Sequence, residues 1–311
     1  MYKVFIDGKA GTTGLRIYDR LSLRKDIELL TLSDEERKNP SARKEMINQS
    51  DITFLCLPDD AARESVSLVE KDSVCIIDTS TAHRTQAGWS YGFPELSKAH
   101  RDGVSGGNRI AVPGCHASGF IALVYPLVKE GIIAPDYPLS CFSITGYSGA
   151  GKKVIADYES GSRPDDYDAP RQYATAQSHK HLKEMKAVTG IDRAPVFSPI
   201  ISPFYSGMEV TVPLFPSLFQ KKCTPDALGR IFDEYYNSSK TVKSLGYLAD
   251  NEFVSALKLS GKDSMELAVR GNEERIILTA VYDNLGKGAS GAAMQCMNIR
   301  MGADETEGLV I

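Results

Sequence analysis

Cys115 lies in the string Ile110-Ala-Val-Pro-Gly-Cys-His-Ala-Ser-Gly119. A strand-like stretch runs into Pro113-Gly114, and a helix-like stretch, Phe120–Leu127, follows. The thiol is thereby expected at a helix N-terminus. Free N–H groups and the helix dipole there favour an anion, so they lower a thiol pKa. They also stabilise an oxyanion formed on the carbon that the sulfur attacks. The plain alternative is a buried packing cysteine. His179 and His181 stand in Ser178-His-Lys-His-Leu-Lys-Glu184. On a helix, His181 and Glu184 are one turn apart, and a carboxylate there orients an imidazole and supports its protonated form. A thiol with an acid/base beside it is what acyl transfer requires. A solvated charged helix would read the same way. His116 is next to Cys115, but neighbours on a starting helix point in different directions, which makes it a poor candidate for the base.

Other segments suit anions. Gly8, Gly11 and Gly14 follow an apolar strand and open a helix. Glycines there let the backbone approach a pyrophosphate, and the helix start supplies N–H donors. The spacing is G-x-x-G-x-x-G, and a plain tight turn is the alternative. After the second strand come Ser33, Asp34 and Arg37. A cation there suits the 2′-phosphate of NADP and an acid suits the ribose of NAD. Ser33 and Arg37 lean to NADP, while Asp34 keeps NAD open. Arg84 follows a strand in Asp78-Thr-Ser-Thr-Ala-His-Arg84 and could clamp a phosphate or carboxylate. Lys152 and Lys153 follow a flexible Gly146–Gly151 loop and could also meet an anion.

The elements that position these residues alternate in the first third: strands at Lys3–Asp7, Ile27–Leu32, Asp51–Leu57 and Val74–Asp78, with helices between them and a helix-compatible stretch at Pro40–Ser50. This predicts a doubly wound parallel sheet, an α/β dinucleotide-binding domain whose ligands sit beyond the strands' carboxyl ends. After Cys115 the texture changes. Leu139–Ile144, Val210–Leu214, Phe253–Leu259, Met265–Arg270 and Arg275–Tyr282 read as strands of a second α+β domain with a mixed or antiparallel sheet. Val154–Gln177 reads as an irregular excursion, and Asp283–Met297 as a glycine-rich loop and then a helix. The expected division is residues 1–114, with the C-terminal helix of about 286–311, against residues 115–285.

The 311 residues carry a net charge of -4, 42% hydrophobic and 24% charged residues. That composition is globular and offers no footprint for nucleic acid or an anionic membrane. No apolar run approaches the roughly 20 residues that span a bilayer. The start reads as a first strand, not a signal peptide. None of the six cysteines forms a C-x-x-C pair, so neither a zinc site nor a dithiol motif is expected. The cysteine pattern suits a reducing cytoplasm.

Taken together, several segments resemble one family, the N-acetyl-gamma-glutamyl-phosphate reductases of arginine biosynthesis, in its shorter branch. They are Gly8–Gly14, Asp78–Arg84, Tyr91–Leu96, Pro113-Gly-Cys115, Ser148–Lys152, His179–Glu184 and Asp283-Asn-Leu-Gly-Lys-Gly-Ala-Ser-Gly291. The resemblance implies that Cys115 is the nucleophile and that one of His179 and His181 is the acid/base, with Glu184 orienting it. It implies that Gly11, Thr12, Thr13 and Gly14 hold the pyrophosphate of NADP and that Asn284 lies near the nicotinamide, while Gly8, Ser33 and Arg37 remain cofactor-binding candidates on the residue reading above. It further implies that Arg84, with Ser148 and Lys152, meets an acyl phosphate substrate, through an enzyme that is a homodimer or homotetramer. Two features depart from the family pattern. Phe197–Met208 has neither His nor Arg, so substrate contacts from that segment do not carry over. His116 stands where the family more often has tyrosine. An aspartate-semialdehyde dehydrogenase is the nearest alternative enzyme, and a non-catalytic dinucleotide sensor the alternative from another class.

Overall fold

The structure, a computed structural model, describes residues 1–249 and 252–311. The chain divides into two units, Met1–Gly114 with Ala289–Leu309, and Cys115–Gly288 with Val310–Ile311. The first begins with β1 (Tyr2–Asp7) and α1 (Thr12–Leu21), then β2 (Ile27–Leu30) and α2 (Pro40–Gln49). β3 (Ile52–Leu55), α3 (Asp59–Ser67), β4 (Cys75–Asp78), β5 (Ser90–Tyr91), α4 (Lys98–Gly106) and β6 (Arg109–Ala111) follow. The sheet has strand order β2-β1-β3-β4-β6-β5, and every pairing is parallel. Its strands are short apolar runs because helices cover both faces, as a parallel sheet requires. The second strand ends at Leu30, two residues before the expected end. A buried network ties the carboxyl end of β1 to the helices: the Asp7 carboxylate accepts from Arg43 Nε at 3.1 Å and from Ser65 Oγ at 2.7 Å.

The second unit starts at Cys115 with α5 (Cys115–Lys129), then β7 (Ser140–Gly146), α6 (Lys152–Glu159), β8 (Arg171–Gln172) and α7 (His181–Thr189). β9 (Val196–Ser202), β10 (Met208–Leu214), α8 (Pro225–Tyr236), β11 (Val242–Tyr247), β12 (Met265–Gly271) and β13 (Ile276–Tyr282) complete it. The sheet is mixed, with order β11-β12-β13-β10-β7-β9-β8 and parallel pairs only at β11/β12 and β7/β9. α5, α7 and α8 pack in this unit, α5 against β10 and β13 and α8 against β11 and β12. Three expectations change. Phe253–Leu259 is not a strand: Phe253 is fully exposed and turns run from Ser255 to Ser260, the first closed by Lys258 N–H on the Ser255 carbonyl. The supposed excursion Val154–Gln177 holds most of α6 and the short β8. Strands β9 and β11 and helix α8 are additions that the sequence pattern does not announce.

The last helix, α9 (Gly291–Met301), belongs to the first unit, where Ala293, Met294, Cys296 and Met297 join the core of Val4, Ile6, Ile17 and Phe54. Among the described residues no helix is long and apolar enough to cross a membrane.

Candidate active site and dinucleotide cradle

In the first unit, β1 runs into the turn Gly8–Gly11 and then α1. Gly8 has φ +92°, and a Cβ there would stand 2.3 Å from the Cys56 carbonyl oxygen; at Gly14 it would stand 2.6 Å from the Gly8 oxygen. The Gly11 cap offers no side-chain bond and the first turn of α1 carries no acid, so its N–H end is left for an anion. Beside it lies a cavity of about 580 Å³ lined by Gly8, Lys9, Tyr18, Asp34, Arg37 and Lys38. The cradle and the cavity fit a dinucleotide's pyrophosphate and adenosine half. Gly8, Gly11, Thr12, Thr13 and Gly14 form the turn and helix start. Arg37 borders the cavity and pairs with Asp34 at 3.5 Å, and Ser33 Oγ donates to the Glu36 carboxylate at 2.8 Å.

Arg84 is tied to its own unit at two points. Its Nε donates to the Val112 carbonyl at 2.8 Å and an Nη to the Thr79 carbonyl at 3.0 Å. The loop it leaves is fixed by Asp78, whose carboxylate accepts from Ser80 N–H and Oγ and meets His83 Nδ1 at 2.6 Å. His83 stacks on Trp89 with ring centroids 4.1 Å apart.

In the second unit Cys115 opens α5, half-buried, at the start of a 15-residue helix. By contrast, burial pushes the Cys75 thiol up to about 11. His116 is buried, with Nδ1 2.6 Å from Ser143 Oγ and Nε2 2.6 Å from the Tyr173 hydroxyl. Burial, with the adjoining His179 ring, pushes it down to about 3, so it is neutral at working pH. Its ring centroid is 5.6 Å from both His179 and His181, which are 4.6 Å from each other. The histidine pair therefore stands beside the residue that follows Cys115. His181 is the first residue of α7 and Glu184 lies one turn on; both are buried. The His181 N–H donates to His179 Nδ1 at 3.1 Å, so that nitrogen is an acceptor and the His179 ring is fixed as a cap on α7.

Local geometry explains how α7 reaches this place. Ala174 and Gln177 have φ of 50° and 55°, unusual for residues with a Cβ, and swing the chain from Tyr173 to His179. Gln177 pins the bend to β9, donating to the Phe197 carbonyl at 2.7 Å and accepting its N–H at 2.9 Å. The glycine-rich loop after β13 is fixed by Asp283, whose carboxylate accepts from Ser206 Oγ and from the N–H groups of Gly261, Leu285 and Gly286. Asn284 accepts the Gly207 N–H and donates to Ser148 Oγ, both at 3.0 Å, so its amide holds protein groups on both sides. A Cβ at Gly288 would stand 3.1 Å from the Cys115 Cβ, which explains that glycine. Lys152 is exposed at the start of α6. Sequence reasoning misses Tyr173, Ser143 and Tyr282. Tyr173 lies in the polar stretch that reads as irregular, and the other two read simply as strand residues.

This is the semialdehyde dehydrogenase fold: residues 3–103 match the semialdehyde dehydrogenase NAD-binding domain family and residues 115–284 its dimerisation domain family. Among solved structures, the chain is similar to an aspartate semialdehyde dehydrogenase from Vibrio cholerae (TM-score 0.71, 16% identity, 97% of this chain and 98% of that one). It is also similar to one from Candida albicans solved with NADP (TM-score 0.67, 14% identity, 96% and 98%). Curated relatives are closer in sequence. One from Brucella ovis is 43% identical, covering 96% of this chain and 99% of its own length, and one from a Nostoc species is 40% identical over 99% of each. The first is named N-acetyl-gamma-glutamyl-phosphate reductase and the second N-acetyl-gamma-glutamyl-phosphate reductase 2. The chain belongs to the N-acetyl-gamma-glutamyl-phosphate reductase family.

Proposed function

We propose that the chain reduces N-acetyl-L-glutamyl 5-phosphate to N-acetyl-L-glutamate 5-semialdehyde through a thioester on Cys115, in the cytoplasm, where the six free cysteines suit a reducing compartment. The observation that carries this reading is Cys115 at the start of a long helix, with the rings of His179 and the buried His181 packed on its chain neighbour His116. The helix end favours the thiolate and an oxyanion at the carbon it attacks. The Cys115 sulfur bonds to the acyl carbon, the acyl–phosphate bond breaks, and inorganic phosphate leaves. When bound, the reduced nicotinamide supplies the hydride that brings the acyl group to the aldehyde level. His181, oriented by Glu184, donates or accepts the proton at the acyl oxygen, and the C–S bond breaks to return the thiolate. His179 is the nearby second ring.

The first unit is assigned as the NADP-binding domain and the second as the catalytic and dimerisation domain. Gly8, Gly11, Thr12, Thr13 and Gly14 would hold the pyrophosphate, and Ser33 and Arg37 the 2′-phosphate, for which Arg37 must exchange Asp34. Asn284 serves by keeping its loop beside Cys115. Lys152 and Arg84 would meet the substrate's anionic groups, and the buried Ser148 hydroxyl would join them by exchanging the Asn284 amide. The experiment is NADP⁺ reduction with N-acetylglutamate semialdehyde plus phosphate against aspartate semialdehyde plus phosphate. The first is expected to react faster by at least about a hundredfold in kcat/KM, as for a site built around one polar group pattern. Equal or greater efficiency with aspartate semialdehyde would sink the assignment.

A further inference from the structure

Tyr282 ends β13, buried against the first turn of α5. Its hydroxyl accepts the Gly119 N–H at 3.0 Å and donates to the Cys115 carbonyl at 2.5 Å. These are the two groups that an α-helix joins directly, residue i to residue i+4. A Cβ at Gly119 would stand 2.7 Å from that hydroxyl, so glycine makes the room it occupies. Burial and the negative charge available to Cys115 hold the phenol well above its ordinary pKa, so it remains a donor throughout the working range. The next two residues, Asp283 and Asn284, anchor the loop whose Gly288 packs on Cys115.

We propose that Tyr282 is a positioning residue for the nucleophile: its hydroxyl fixes the peptide of Cys115, and with it the aim of the thiolate toward the N–H groups of the helix start. The proposal rests on Cys115 being the nucleophile. Misplacing a reacting group by an ångström costs on the order of a hundredfold, so a single phenol can matter this much.

The test is Tyr282→Phe in the full-length protein. The ring still fills its cavity, and the freed N–H and carbonyl can pair with each other. We expect kcat to fall by about tenfold or more with KM within about twofold. The pH profile of iodoacetamide alkylation, read at Cys115 by peptide mapping, should shift by about half a unit or more. NADP⁺ affinity, measured by titration, should stay at the wild-type value. Wild-type kcat together with a wild-type alkylation profile would overturn the proposal. So would a variant that does not fold, or one with a lowered unfolding midpoint but full kcat per folded molecule, because the hydroxyl would then be structural. Cys115→Ser run alongside separates the two readings. If it keeps turnover and alkylation of the wild type leaves activity intact, the nucleophile assignment fails and this proposal with it; if it is dead while Tyr282→Phe is normal, only the positioning role is lost.

Discussion

At the scale of single residues the chemistry turns on which atoms are free to move protons. Cys115→Ser is expected to lose at least about a thousandfold in turnover while NADP⁺ binding survives, because a serine alkoxide is far scarcer at neutral pH than a thiolate favoured by a helix end. Substantial turnover in a steady-state assay of the serine variant would remove Cys115 from its role. Within the histidine pair, His179 already has fixed employment, since its Nδ1 accepts the His181 N–H at the start of α7. His181 is the more buried ring and has Glu184 one turn ahead. His181→Ala should therefore lower kcat by roughly a hundred- to ten-thousandfold and flatten one limb of the pH–rate profile. Glu184→Gln should cost less, since the ring remains. His179→Ala should act mainly on KM. If kinetics of the three variants against pH show His179→Ala abolishing turnover while His181→Ala is mild, the two roles are exchanged.

At the scale of elements the glycine turn makes the clearest demand. Gly14 lets α1 start against the Gly8 carbonyl, and a Cβ would enter at 2.6 Å from that backbone oxygen. Backbone cannot step aside as a side-chain tip can. Gly14→Ala should thus push the helix start off the turn and weaken NADP⁺ binding by about tenfold or more, or about 1.4 kcal/mol; a titration giving the wild-type Kd would show that this close approach does not serve the pyrophosphate. This turn is legible in the sequence because three glycines follow an apolar strand and precede a helical period. Cys115 is legible because Pro113-Gly114 breaks one element just before another begins. Other elements hide for physical reasons. β9 carries Pro199 in mid-strand, and Pro lacks the N–H that a central strand normally donates. β11 is an edge strand with Lys243, Ser244 and Gly246 and little apolar alternation. The strand expected at Phe253–Leu259 has apolar residues at the right spacing, but Ser255 opens a turn there. The bend that delivers His179 depends on Ala174 and Gln177 at positive φ, residue types that carry no such signal.

At the scale of the whole molecule, acid stability and assembly each follow from a surface or a buried group. His116 stays neutral in the folded chain down to about 3, whereas in the unfolded chain it takes a proton near 6.5. As pH falls through that window the unfolded state binds the extra proton, so stability present above 6.5 is lost toward 3, at up to about 1.4 kcal/mol per pH unit. His116→Gln, which does not titrate, should show a shallower fall of the unfolding midpoint between those pH values; identical slopes would mean the ring titrates normally. Self-association is expected to use the other face of the second sheet. Tyr282 and Ser143 face the helices, and their registers put Phe142, Val196 and Ile277 on the opposite side. Those three are 47%, 64% and 42% exposed, large apolar side chains spread across one face of the sheet. A second copy of the chain is the occupant that the matched dimerisation domain favours. Stable dimers bury about 1,600 Å² in all, and a charge at the centre of such a patch has no partner when desolvated. Ile277→Glu should therefore move the mass measured by light scattering from a dimer or tetramer toward a monomer while the far-ultraviolet dichroism is unchanged. A variant that keeps the wild-type mass would place the contact on another surface.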